Sequence, residues 1–172
     1  VEALTMSTKI ALFKAGELSQ VATPMELYMN PIDLQAADFI GNPRINFLEG
    51  TAHLTEDGLY VKSELREHLF PKSDLTDETI PEGEFPCVVA VRPEQVRISR
   101  QNIPGSIPVQ VYANQPAGSE TLVSLRAGRS DFLAKQIGLT EYALDENVYV
   151  EIPPEKITIY DAQSTRLSKR AH

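Results

Sequence analysis

Arg92-Pro93-Glu94 sets a guanidinium and a carboxylate on either side of a ring that fixes the backbone. An Arg fork in such a place can form part of an interdomain or dimer contact. The plainer reading is a turn in which Pro93 ends a strand and its charged neighbours tie the chain down. Gly118-Ser119-Glu120 is the second candidate. Backbone N–H groups at such a turn can hold an oxyanion, but Glu120 would repel one. A hairpin turn with Gly118 at positive φ accounts for the same residues. His53 and His68 have acids nearby, and nothing makes them converge on a metal. Cys87 lies in an apolar run with no base beside it, which reads as a small buried hydrophobe and not a nucleophile. Glu151 and Glu155 flank Pro153-Pro154, a stiff loop poorly suited to an acid–base pair. The sequence therefore assigns no catalytic, cofactor-binding or metal-ligating residue. Arg92, Pro93, Glu94, Gly118 and Glu120 stand as positions with an interface or turn role.

Composition narrows the class further. The 172 residues carry 24 acids and 16 Lys or Arg, a net charge of −8. That balance argues against electrostatic capture of nucleic acid or of an anionic membrane. One cysteine excludes an intrachain disulfide and a Cys-based zinc cage, and three histidines exclude a His-rich site. No apolar run approaches the roughly 20 residues of a spanning helix. Val1–Ala11 lacks the basic start and apolar stretch of a signal peptide. A hydrophobic content of 42% is too high for disorder. The expectation is a soluble, cytosolic-type chain.

The elements that must position these residues change character along the chain. Lys9–Lys14 and Glu17–Ala22 flank Ala15-Gly16 and predict a hairpin. Thr23-Pro24-Met25-Glu26 predicts a helix start, with Thr23 as cap and Glu26 as its reciprocal partner. Asn30-Pro31 stops that helix. Apolar residues within Ile32–Ile40 predict a second short helix ending at Gly41. From Arg44 onward the texture is β. Ile45–Leu54 and Leu59–Val61 flank a Glu56-Asp57-Gly58 turn. Glu64–Phe85, with seven acids against two bases, predicts a solvated polar connection with one helical turn. Cys87–Val91 is a continuous apolar strand. Val96–Ser99, Pro108–Ala113, Thr121–Arg126, Val148–Ile152 and Lys156–Tyr160 alternate as half-buried strands. Arg166–His172 predicts a frayed basic tail. Six to nine short strands with Gly and Pro between them predict a barrel or sandwich.

Four stretches together resemble the ATPase subunit of sugar-type ABC importers, the maltose-importer class. They are Val1-Glu2-Ala3-Leu4-Thr5 continued by Ala15–Tyr28, then Phe39–Pro43 with Ile45–Leu48, then Val91–Val96, then Gly118–Thr121 followed by Pro153–Ile157 and Tyr160-Asp161. Gln95 stands where that family commonly has His, Ser7-Thr8 where it has an acidic-basic pair, and Pro86–Val91 is more uniformly apolar than expected. The resemblance implies a mainly β fold, an OB-like (TOBE) regulatory barrel over 44–172. Residues 1–43 would be the end of a nucleotide-binding domain whose switch histidine lies just upstream of Val1.

The resemblance also implies a function and its limits. The family hydrolyses ATP with magnesium on a G-x-x-x-x-G-K-[ST] loop, and no such loop occurs in this sequence. The chain is therefore expected to bind no cofactor itself, with ATP and Mg belonging to a full-length parent. Implied partners are a second copy of the chain, transmembrane permease subunits reached through the ATPase domain, and a cytosolic regulatory protein, but no nucleic acid. The implied location is the cytoplasmic face of a bacterial-type membrane. The expected role is regulation and dimerisation in uptake of a sugar, polyol or glycerol phosphate. The alternative is a stand-alone oxyanion-binding barrel of the molybdate type.

Overall fold

The computed structural model describes residues 9–41 and 43–172. The Val1–Thr5 stretch and Ser7-Thr8 lie outside the described residues. Strands β1 (Ile10–Lys14) and β2 (Glu17–Ala22) form the expected antiparallel hairpin. Both residues of its turn, Ala15 and Gly16, take positive φ, the mirror-image turn that suits the twist of paired strands. Helix α1 (Pro24–Met29) begins with the anticipated capping box. Glu26 N donates to Thr23 Oγ1 at 3.3 Å, and Thr23 N donates to the Glu26 carboxylate at 3.2 Å. Helix α2 (Leu34–Phe39) is capped by Asp33, whose carboxylate accepts from Ala36 N at 2.8 Å.

Eleven further strands make two curled antiparallel sheets around one core. Strands β3 (Asn46–Leu54), β4 (Gly58–Ser63), β5 (Glu67–Pro71), β6 (Phe85–Val91), β12 (Thr158–Asp161) and β13 (Leu167–Lys169) form the first, in the order β13-β12-β6-β3-β4-β5. Strands β7 (Arg97–Ser99), β8 (Ile107–Ala117), β9 (Glu120–Ala127), β10 (Ser130–Ile137) and β11 (Asn147–Glu151) form the second, in the order β10-β9-β8-β11-β7. Alternate residues from both sheets fill the interior, among them Leu48, Val61, Val89, Val111, Leu125, Val148 and Ile159. Asn46 stitches β3 to β10 by acting as a strand in miniature. Its amide donates to Leu133 O and accepts from Leu133 N, both at 2.8 Å.

Two expectations are corrected. Glu64–Phe85 is not a solvated loop. It contains β5 and a 3-10 turn at Lys72–Asp74, and it buries Leu65, Phe70 and Phe85. The acids lie along an edge strand and its connections, so a few inward apolar residues suffice to order the segment. Arg166–His172 is not frayed either. It pairs as β13, with Leu167, Lys169 and Ala171 buried. A lysine as the fully buried last residue of a three-residue strand defeats any reading from hydropathy.

Strand β6 also explains its own composition. Phe85, Cys87, Val89 and Val91 point into the main core, while Ala90 belongs to a second cluster with Ala37, Ile45, Tyr160 and Leu167. Leu34 and Val88 pack against that cluster. The strand is covered on both faces, by the barrel interior and by α2, so it cannot alternate with polar residues.

Candidate functional site at the joint of the helices and the barrel

Arg92 leaves the end of β6 and turns outward to the helical segment. Pro93, buried, opens the 3-10 turn Pro93–Gln95. That turn closes through Gln95 N donating to Arg92 O at 2.9 Å and Val96 N to Pro93 O at 3.2 Å. Glu94 faces solvent. The Arg92 side chain is 5% exposed. One guanidinium nitrogen donates to Ile40 O at 2.5 Å, and the other donates to Tyr28 O at 3.0 Å. Those carbonyls stand at the C-terminal ends of α2 and α1, where helices leave acceptors unpaired and where a positive charge is favoured. The guanidinium also lies 4.5 Å from the Tyr28 ring centroid. A Cβ placed on Gly41 would come within 2.6 Å of the guanidinium, so the glycine, at φ +104, permits this close approach. Burial pulls the Arg92 pKa down to about 10, against a smaller opposing effect of Tyr160. It remains charged at neutral pH, yet no carboxylate among the described residues pairs with it.

The rest of the joint is built by the C-terminal strand. Asn30 pairs with Ala171 in both directions, donating at 3.0 Å and accepting at 2.7 Å. Leu167 N donates to Ile32 O at 2.9 Å, and Leu34 N donates to Thr165 O at 3.0 Å. The buried Tyr160 hydroxyl donates to Pro31 O at 2.8 Å. Lys169 has no exposed surface; its ammonium donates to Pro154 O and Ile157 O at 2.9 and 2.7 Å and sits 4.8 Å from the Phe70 ring centroid. Burial pushes its pKa down to about 8, although Asp74 and Glu155 act the other way. Sequence reasoning gave Asn30 only as a helix stop and Tyr160 only as part of a strand and a resembling stretch, and passed over Lys169, because their roles at the joint rest on contacts more than ten residues away along the chain.

The Gly118 turn lies elsewhere. Gly118 has φ +69 in the two-residue loop joining β8 to β9, and open space surrounds its missing side chain. Glu120 pairs with Lys135 at 3.3 Å across the hairpin. The structure thus separates Gly118 and Glu120 from Arg92, Pro93 and Glu94, and it shows no cradle at the turn. His53 packs on Tyr60 and His68 on Phe70. Among the described residues no three His, Cys, Asp or Glu side chains converge on a metal position. The Cys87 thiol is pushed up to about 12, chiefly by burial and then by Asp161, which makes it a poor nucleophile.

With this geometry in view, comparisons with known proteins are informative. Residues 89–159 match the TOBE domain family. The chain is 28% identical to an uncharacterised ABC transporter ATP-binding protein, YcjV, of Escherichia coli O6:H1, over 95% of this chain and 44% of the relative. It is 31% identical to the xylose/arabinose import ATP-binding protein XacJ of Haloferax volcanii, over 99% and 46%. It is 34% identical to the trehalose/maltose import ATP-binding protein MalK of Thermococcus litoralis, over 94% and 44%. The chain thus spans about half the length of the curated relatives it matches. Among solved structures, molybdate-bound ModG, a cytoplasmic molybdate-binding protein, superposes with a TM-score of 0.52 at 10% identity, covering 66% of this chain and 94% of that one. That likeness concerns the OB-like fold alone. Residues 89–159 are therefore a TOBE domain, set in a chain whose relatives are ABC transporter ATP-binding proteins, sugar importers among them.

Proposed function

We propose that this chain is the regulatory and dimerising region of an ATP-binding subunit that powers import of a carbohydrate or related solute. Residues 1–43 would end the nucleotide-binding portion and 44–172 would form the regulatory barrel. The observation that carries this reading is the extent of the similarity. It covers 99% and 94% of the chain in two relatives, from the helical segment through the joint to the barrel, and both are named for sugar import. A second feature agrees with it. The N-terminal hairpin and the two helices leave Phe13 67% and Phe39 75% exposed, along with Leu18, Val21 and Met25, and such apolar surface calls for a covering layer. In this reading the ATPase core supplies that layer, and permease subunits and a cytosolic regulator are partners of the whole protein at the inner membrane face. No helix among the described residues is long and apolar enough to cross a membrane.

The described residues offer no cradle that fits a nucleotide. Both helices present N-termini already occupied by their own caps, Thr23 and the Asp33 carboxylate, and Asp33 would repel a phosphate. The positive-φ glycines sit singly in separate turns and form no phosphate nest. In this reading, hydrolysis of ATP with magnesium belongs to the nucleotide-binding portion of a longer protein. The test is a fusion of the chain to the nucleotide-binding portion of XacJ. Magnesium-dependent ATP hydrolysis and stable subunit pairing in the fusion, with pairing lost when 44–172 is removed, are the expected results. Pairing that persists without 44–172 would overturn the proposed role.

A further inference from the structure

The barrel's three most exposed large aliphatic side chains lie together where β10 runs into β11. Ile137 is 91% exposed, Leu139 72% and Leu144 70%. The connection that carries them, residues 138–146, is tied down along its length. Gly138 N donates to Ser119 O at 2.7 Å, and the Thr121 hydroxyl donates to Gly138 O at 2.8 Å. Asn114 and Tyr142 exchange two bonds, at 2.7 and 3.2 Å. Asp145 N donates to Val111 O at 2.7 Å, and Val111 N donates to Glu146 O at 3.0 Å. Gly138 at φ +97 and Asp145 at φ +63 turn the chain at its two ends, and aspartate tolerates that conformation better than most residues. Tyr142 is buried, while its neighbours stay outside. An ordered connection thus holds aliphatic side chains in solvent. Single exposed leucines need no explanation, but three such side chains on one pinned segment form a patch of the kind that marks a contact surface.

We infer that residues 137–145 form a docking surface for a protein segment with an apolar face bordered by lysine or arginine, as in a basic amphipathic helix. The charges around the patch decide the partner. Arg100 is paired with Glu146 at 2.7 Å, Lys135 with Glu120 at 3.3 Å and Arg126 with Asp131 at 2.8 Å. The exposed carboxylates of Glu141 and Asp145 form no ion pair among the described residues. The uncompensated charge of the patch is therefore negative, and a partner with cations at its rim matches it. A second copy does not. A two-fold contact centred here would bring Glu141 and Asp145 of both copies together, so self-association of the barrel has to use another face. The same carboxylates repel an anionic membrane. Among the described residues the connection shares no hydrogen bond with α1 or α2, so the surface is independent of the role proposed in transport.

The experiment titrates the whole chain with two synthetic helical peptides that share one leucine face, bordered in one by lysines and in the other by glutamates. Methyl resonances of Ile137, Leu139 and Leu144 report contact, and the thermal midpoint reports folding. The expected result is a saturable shift confined to these methyls and their neighbours with the lysine peptide, weakened by salt, and none with the glutamate peptide. Leu139→Ser combined with Leu144→Ser should weaken the affinity at least about tenfold, the factor expected from burying a single leucine. Glu141→Gln combined with Asp145→Asn should weaken it several-fold and remove most of the salt dependence. All four side chains are exposed, and asparagine tolerates the backbone of Asp145, so both variants should keep the wild-type midpoint. Equal binding of the two peptides, shifts spread over the whole acidic surface, or unchanged affinity in the serine variant would overturn the inference. So would association of the chain with itself, or with phosphatidylcholine vesicles, that disappears in the serine variant.

Discussion

Arg92 and Lys169 are the two buried cations among the described residues, and neither forms a salt bridge. Both donate instead to backbone carbonyls, so each fixes the path of the chain more than it neutralises a charge. Arg92→Met would leave Ile40 O and Tyr28 O without this donor. At about 1–3 kcal/mol for each buried group left unpaired, the variant should lose roughly 2–4 kcal/mol in urea unfolding. A loss within experimental error would remove Arg92 from the joint. Lys169 predicts a pH effect. Its folded pKa of about 8 lies below the ordinary 10.5, so the unfolded chain holds the proton more tightly. Stability from this group should therefore rise with pH from about 8 towards 10.5, at up to about 1.4 kcal/mol per unit. Cys87 and Tyr160, both held above their usual values by burial, work in the opposite direction at high pH. The difference between wild type and Lys169→Met isolates the lysine, and the variant should lack this rise between pH 7.5 and 9.5. Parallel curves would contradict the assignment. Gly118→Val places a β-branched residue at φ +69 with no steric neighbour, so backbone strain alone should cost about 1–3 kcal/mol by thermal melting.

At the level of elements, the local signals were legible and the long-range ones were not. The hairpin at Ala15-Gly16, the Thr23 cap, the stop at Asn30-Pro31 and the turn at Gly58 are written in neighbouring residues. Strand β5 was hidden because only Phe70 of its five residues is buried. Strand β10 was not foreseen; its Asp131 pairs with Arg126 of β9 at 2.8 Å, a contact no local pattern announces. The candidate site was half legible. Arg92 stood out by its proline neighbour, but its partners lie 52 and 64 residues away. The C-terminal strap could not be seen, since β13 earns its burial from three separate regions. Beyond its bonds to the helical segment, Thr76 N donates to Ser168 O, Arg170 N to Asp74 O and His172 N to Glu155 O. Deleting 167–172 should therefore loosen α1 and α2 as well as Lys72–Thr76. Hydrogen exchange should show faster amides in 24–39 than in β8 and β9, which share no bond with the strap. Unchanged protection of α1 and α2 would show that the strap does not hold them.

For the whole molecule, one core shared by two sheets makes the barrel a rigid body, and the helical segment is docked on its outer face by Arg92, Asn30, Tyr160 and Leu167. A rigid barrel behind a motor can hold two subunits together while their catalytic faces separate, which is the role proposed for 44–172. A two-fold contact must be self-complementary. Two copies each carrying −8 repel, so the contact should be apolar and locally neutral at its centre. It should bury at least about 1,000 Å². Sedimentation equilibrium of this chain over a wide concentration range, at low and high salt, tests that role most directly. The account predicts a reversible dimer with a dissociation constant of about a micromolar, preserved or strengthened by salt as screening relieves the repulsion. A strict monomer at high concentration in both salts would contradict it.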